Sequence, residues 1–154
     1  MNATGTTGVF AREFDEIDGA VEVGFAGGRV IAVSFPAHAP ADADPDHDLL
    51  DRIGAYLRGE PDGFDDVAVG LTVPTDRRAV LEALRTVPYG EEVSVSRLTR
   101  LAALDADDPD DLELVTSALD ENPIPLFLPD HRVQGGPYAT PGDVRDAVRR
   151  VEGL

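Results

Sequence analysis

The sequence predicts an α+β protein in which the strands come first and most of the helices second. Two observations carry this. Over residues 8–14, 20–25 and 29–35 apolar and polar side chains alternate, the period-two signature of half-buried strands. From residue 75 onward the period becomes helical: Val80, Leu81 and Leu84, then Leu98, Leu101 and Ala102, then Leu112, Val115, Ala118 and Leu119 each share a face. A chain of 154 residues with 42% apolar content suits one compact domain or two small ones. The change of character puts the division between residues 1–73 and residues 74–154.

Taken in order, residues 1–8 are small and polar and are expected to fray. Gly27-Gly28 turns the second strand into the third, giving a meander. Residues 36–47 are rich in Ala, Asp and Pro and read as a solvated loop. Leu49, Leu50, Ile53, Tyr56 and Leu57 follow at helical spacing, and Gly59 ends that helix. Residues 61–70 read as a linker with a short strand at 67–69. Thr75 is placed to cap a helix that Pro88-Tyr89-Gly90 closes, and Ser94 to cap the next. Residues 105–110 form an acidic loop before the third helix of this half. Three short helices joined by tight turns fit a helix-turn-helix core. Residues 124–128 read as a short buried strand, and residues 141–151 as a final helix.

Composition narrows the function. With no cysteine, disulfides, thiolate chemistry and cysteine-based zinc sites are excluded. No apolar run approaches the roughly 18 residues of a membrane span, and no secretory signal is visible, so a cytoplasmic protein is expected. The net charge is -17, from 30 acidic residues and 13 basic ones, and every basic residue is Arg. Acidic surface without Lys looks like the proteome of a salt-loving archaeon, where the charge is a solvation device. His38 and His47 stand among Asp42, Asp44, Asp46 and Asp48, and are read as loop residues, not metal ligands. No metal and no cofactor is expected, and the chain is expected to be a monomer.

The most informative segment is Asn122-Pro123-Ile124-Pro125-Leu126-Phe127-Leu128-Pro129-Asp130-His131-Arg132. Upstream stand Val87-Pro88-Tyr89-Gly90-Glu91 with Val93-Ser94, and Leu57-Arg58-Gly59-Glu60. Downstream stand Tyr138 and Glu152. In this order and spacing they resemble the alkylguanine-DNA alkyltransferases, the methylated-DNA–protein-cysteine methyltransferase family. The resemblance implies a small ribonuclease-H-like N-terminal domain and a winged-helix-like C-terminal domain with a helix-turn-helix. It also implies a Glu–His–water–Cys relay that activates a thiolate. Here His131 and Glu152 match the His and the carboxylate, Asn122 the residue that bridges the turn, and Tyr138, with Pro129 and Arg132 beside it, the pocket for a flipped guanine.

Four departures from the family pattern matter. Asp130 stands where the family has its acceptor cysteine, and a carboxylate is a far weaker nucleophile for alkyl carbon. The arginine-finger position falls on Glu113, between Asp110, Asp111, Asp120 and Glu121, in a helix with no Arg; phosphate contacts need Lys or Arg. The base-rotating tyrosine position falls on Val95. The loop from His131 to Tyr138 is short. Arg77, Arg78, Arg97, Arg100 and Arg132 are read as surface charge balance. The expectation is an alkyltransferase-like protein that takes no alkyl group. Two roles stay open: an interaction or regulatory domain that binds duplex DNA weakly, and a protein that binds alkylguanine in DNA and flags it for another repair pathway.

Overall fold

A computed structural model of the chain describes residues 6–154. It is a mixed α/β fold. Strands β1 (Gly8–Phe14), β2 (Gly19–Ala26) and β3 (Arg29–Ser34) form an antiparallel meander in that order. The register places Phe10 opposite Val23 and Val23 opposite Val33, so Val21, Val23 and Val33 share a face, joined by Phe25 and Val30 across the irregularity after Gly24, and these buried side chains line one layer of the core. Gly27 and Gly28 make the β2–β3 turn at φ 57° and 80°, a conformation that costs glycine little. The fraying expected of the N-terminus does not hold at Thr6 and Thr7. The Thr6 carbonyl accepts from the Gly28 amide, and the Thr7 hydroxyl accepts from Gly27. Residues 1–5 lie outside the described residues.

Helix α1 (Asp48–Leu57) turns Leu49, Leu50, Ile53, Tyr56 and Leu57 inward. Each such side chain removed from water contributes about 1.5–3 kcal/mol. Its cap corrects the reading of His47 as a solvated loop residue. His47 Nδ1 accepts from the Leu49 amide at 2.9 Å, and its ring stacks on Phe25 at 4.8 Å. The loop before it also joins the sheet, because Asp44 bridges to Phe10 beside β1. The strand expected at 67–69 is only a single bridge, Val69 to Val30.

The second half holds α2 (Thr75–Arg85), α3 (Val95–Leu101) and α4 (Pro109–Asp120), which pack against one another. Ser94 caps α3 as expected, accepting from the Arg97 amide at 3.1 Å. Thr75 does not cap α2: it is the first helical residue, Pro74 occupies the cap, and no side chain bonds there. Asp108 caps α4, with Pro109 at the first helical position. The strand expected at 124–128 is not formed. Pro123 and Pro125 have no amide hydrogen to give a ladder, Leu126 sits at φ 80°, and only one bridge, Pro125 to Leu128, remains. The segment is nonetheless buried throughout, Ile124 and Leu128 completely. A two-residue parallel pair, β4 (Val93–Ser94) with β5 (Val133–Gln134), brings the start of α3 beside the segment that follows Arg132. Helix α5 (Gly142–Val151) closes the chain against α1. One continuous apolar cluster runs from Phe14 to Val148 and includes residues on both sides of position 73.

Candidate functional site

The site is built where three segments converge: the end of α5, the turn 87–90, and a short 3-10 helix at Asp130–Arg132. Glu152 is the C-terminal cap of α5, and its side chain is fully enclosed. Its carboxylate accepts from His131 Nε2 at 2.7 Å, from Arg132 Nε at 2.8 Å and Nη2 at 3.1 Å, and from the Gly90 amide at 3.0 Å. A further donor is the Tyr56 hydroxyl, from α1. Burial pushes this carboxyl up, but His131, Arg132 and the Gly90 amide together outweigh burial and hold it well below the usual carboxylate range. The same cluster raises the Tyr56 hydroxyl, through burial first and the Glu152 charge second.

The expected pairing of His131 with Glu152 is thus present. Arg132 corrects the sequence reading: it balances no surface charge. It is buried, with Nη1 donating to the Val87 carbonyl at 2.8 Å and the rest of its guanidinium on Glu152. Tyr56 was missed as a site residue because 96 positions separate it from Glu152. The one signal in the sequence was a tyrosine hydroxyl at a core position, which has to find a partner.

Asp130 is completely buried. Its Oδ2 accepts from the Ala139 amide at 2.8 Å and the Thr140 amide at 3.2 Å, and its Oδ1 from the Thr140 hydroxyl at 2.6 Å. Asn122 Nδ2 lies 3.5 Å away, but its stronger bond is to the Leu128 carbonyl at 2.8 Å. Asn122 Oδ1 accepts from the Ile124 amide at 3.0 Å, so Asn122 does bridge the turn. Burial raises the Asp130 carboxyl above its ordinary value, although the Thr140 and Ala139 bonds oppose the rise. Pro129 is buried ahead of it. Tyr138 is half-buried, with the Arg145 guanidinium 4.5 Å from its ring centroid. Its ring leaves no room at Gly136, where a Cβ would come within 2.7 Å, and Gly136 sits at φ 63°.

The two remaining site positions lie elsewhere. Glu113 is exposed on α4, and its backbone carbonyl accepts from the Thr116 hydroxyl. Val95 opens α3 and is half-buried against the core. Arg77 bridges to Glu121 and Arg78 to Glu82, as surface charge balance requires, while Arg97 and Arg100 are exposed and have no ionic partner among the described residues.

Chemically, the arrangement holds an imidazole in a fixed orientation. With Nε2 on the carboxylate, Nδ1 is the buried side-chain atom left without a partner among the described residues. What the site lacks is a thiol. The Asp130 oxygens are turned to amides and a hydroxyl, and neither meets solvent. Nor is any group of His, Asp or Glu among the described residues arranged to hold a metal ion.

Residues 75–150 match the family of the 6-O-methylguanine DNA methyltransferase, DNA binding domain. The methylated-DNA–protein-cysteine methyltransferase of Methanopyrus kandleri is 33% identical over 87 residues, 56% of this chain and 62% of that protein. The protein of the same description from Mycolicibacterium paratuberculosis is 35% identical over 86 residues, 56% of this chain and 49% of that one. These matches therefore span about half to three-fifths of the relatives' own length. In fold, the chain is similar to Mycobacterium tuberculosis OGT, solved in complex with DNA, with a TM-score of 0.71, 24% identity, and coverage of 93% of this chain and 92% of that one. The chain belongs to the methylated-DNA–protein-cysteine methyltransferase family, and it does so without a cysteine.

Proposed function

We propose that this chain is a non-catalytic member of its family: it takes no alkyl group, binds duplex DNA weakly, and serves as an interaction or regulatory domain in the cytoplasm, as a monomer. The observation that carries the reading is Asp130, enclosed and fully hydrogen-bonded in a chain with no thiol. The acids of α4 support the weak affinity, because Asp110, Asp111, Glu113 and Asp120 would face phosphates with like charge. In this reading residues 1–73 form a ribonuclease-H-like domain, consistent with the meander backed by α1. Residues 74–154 form a winged-helix-like domain whose helix-turn-helix is α3 and α4. The acidic, Lys-free surface is the halophilic adaptation the composition points to.

A second reading, in which the chain binds alkylguanine in DNA and flags it for another repair pathway, is favoured by Arg97 and Arg100 and by the DNA complex of the M. tuberculosis relative. Here Tyr138 and Pro129 would line the base, while Arg132, the third candidate, is held on Glu152 and the Val87 carbonyl. Two measurements separate the readings. Intact-protein mass after incubation with methylguanine duplex stays unchanged in both. Fluorescence anisotropy with plain and methylguanine duplexes, at low and molar salt, gives weak and equal binding in the first and a clear lesion preference in the second. A stoichiometric gain of one methyl overturns both.

A further inference from the structure

We propose that Asp130 acts as an internal ligand, its carboxylate filling a donor cluster shaped for a small anion and thereby keeping the site closed to any outside acceptor. The proposal builds on the non-catalytic reading and gives it a cause beyond the missing thiol. Two consecutive backbone amides, of Ala139 and Thr140, and the Thr140 hydroxyl all point at one carboxylate, at 2.8, 3.2 and 2.6 Å. Three donors converging on two oxygens form a carboxylate-binding nest, and the group inside it comes from the same chain, nine residues upstream. The enclosure is complete, since Asp130 has no exposed surface, Pro129 and His131 are buried on either side, and Thr140 is buried opposite. An outside group bearing a carbonyl or carboxylate oxygen could use these donors only by expelling the Asp130 side chain. The neighbouring backbone also depends on this contact, which ties residues 139–140 to the 3-10 helix across a loop that turns at Gly135 and Gly136.

It follows that a variant without the side chain holds an empty site for a one-carbon or two-carbon carboxylate. The probe is sodium formate, compared with sodium chloride at equal ionic strength. Asp130→Ala in the full chain should melt lower than the native protein by about 5 °C or more, since three hydrogen bonds to a buried charge are lost. Formate at tens of millimolar should restore at least half of that fall, and chloride should not. Native protein should respond to the two salts alike. Should Asp130→Ala not fold, Asp130→Asn and Thr140→Val carry the same question. Asp130→Asn can keep its carbonyl oxygen on the Ala139 and Thr140 amides and turn its NH2 to Thr140 Oγ1, so it should melt only slightly below the native protein; Thr140→Val removes one donor to the native carboxylate and should lower the melt by a few degrees. The proposal is overturned if formate and chloride act equally on Asp130→Ala, or if Thr140→Val melts with the native protein. Either result leaves methyl transfer untouched as a separate readout. Conversely, a methyl gain by the native protein would sink the non-catalytic reading while a formate rescue still stood.

Discussion

Replacing Glu152 with Gln tests the claim that the carboxylate is the tie between the two halves of the chain. The substitution keeps the volume and removes the charge. The native Glu152 carboxylate accepts from Tyr56, Gly90, His131 and Arg132, and donates nothing. The amide nitrogen of Gln must face at least one of these donors, and buried Arg132 loses its counter-ion. Breaking a buried pair from one side costs roughly 3–5 kcal/mol, because the remaining charge is stranded. For a protein of this size each kcal/mol moves the melting midpoint by about 2–4 °C, so at the lower bound the fall is about 6–12 °C. Differential scanning calorimetry, with urea titration at fixed pH as a second probe, measures it. The control is Arg78→Ala, which removes an exposed i,i+4 pair with Glu82 and should cost at most about 1 kcal/mol. The pH dependence adds an independent check. Because the fold holds the Glu152 carboxyl below its unfolded value, its stabilisation is full above the ordinary carboxylate range and is lost as pH falls toward the folded value. Native protein should therefore lose stability steeply in acid, and Glu152→Gln should show a shallower acid limb. A change of less than about 1 kcal/mol at neutral pH, the value of an exposed pair, would refute the reasoning.

Further outcomes follow from the same geometry. Tyr56→Phe keeps the packing of α1 but removes one bond to a charged group, and should cost about 1.5–3 kcal/mol in the same melts, with the acid limb retained. Asp130 has the opposite linkage: burial raises its carboxyl, so its contribution is greatest below its unfolded value and declines as pH rises through the folded one. Asp130→Asn should accordingly flatten that decline in pH-dependent melts. Asp130→Cys should not restore alkyl transfer by intact mass, since the family resemblance puts Val95 and Glu113 at the base-rotating and finger positions. Replacing Glu113 by Arg together with Asp110 and Asp111 by Asn should tighten duplex binding at moderate salt. It should also steepen the log–log salt slope by about one unit for each phosphate newly neutralised.

How far the sequence could be read depended on the range of the interactions involved. The β1–β3 meander and α1–α5 were legible because hydrophobic period is a local property, and each element shows a single face to the core. Ser94 was legible as a cap for the same reason. The pairing of His131 with Glu152 could be named only through the family resemblance, since nothing local ties two residues 21 positions apart. Three features lay out of reach. Tyr56 meets Glu152 across the whole chain, the β4–β5 pair is two residues long and has no period to detect, and Arg132 is buried only because Glu152 and the Val87 carbonyl wait for it. The strand expected at residues 124–128 was a different kind of error. Pro123 and Pro125 already forbade a ladder, but the apolar character of the whole segment outweighed them in the reading.

That the relay-like residues stand in a chain without a thiol has a physical explanation that asks nothing of catalysis. Glu152 satisfies the buried guanidinium of Arg132, the buried hydroxyl of Tyr56 and the amide of Gly90. His131 is one donor among several, and its backbone carbonyl accepts from Arg149, which also holds Glu92. Removing any member strands a polar group in a place water does not reach. Buried polar networks of this kind are costly when half satisfied, so the residues stand or fall together. Asn122 behaves likewise, its amide closing the turn from Ile124 to Leu128 whatever the identity of residue 130. The signature shared with the family is therefore, in this chain, the hydrogen-bonding scheme that joins α1, α5 and the 87–90 turn. Position 130 is separable from it, because its side chain bonds to Ala139 and Thr140 and not to Glu152. A carboxylate can occupy that position while the neighbouring network stays intact. A fold that needs its Glu152 knot can therefore keep the outline of the family's site with a carboxylate, bonded from within, where the family has its cysteine.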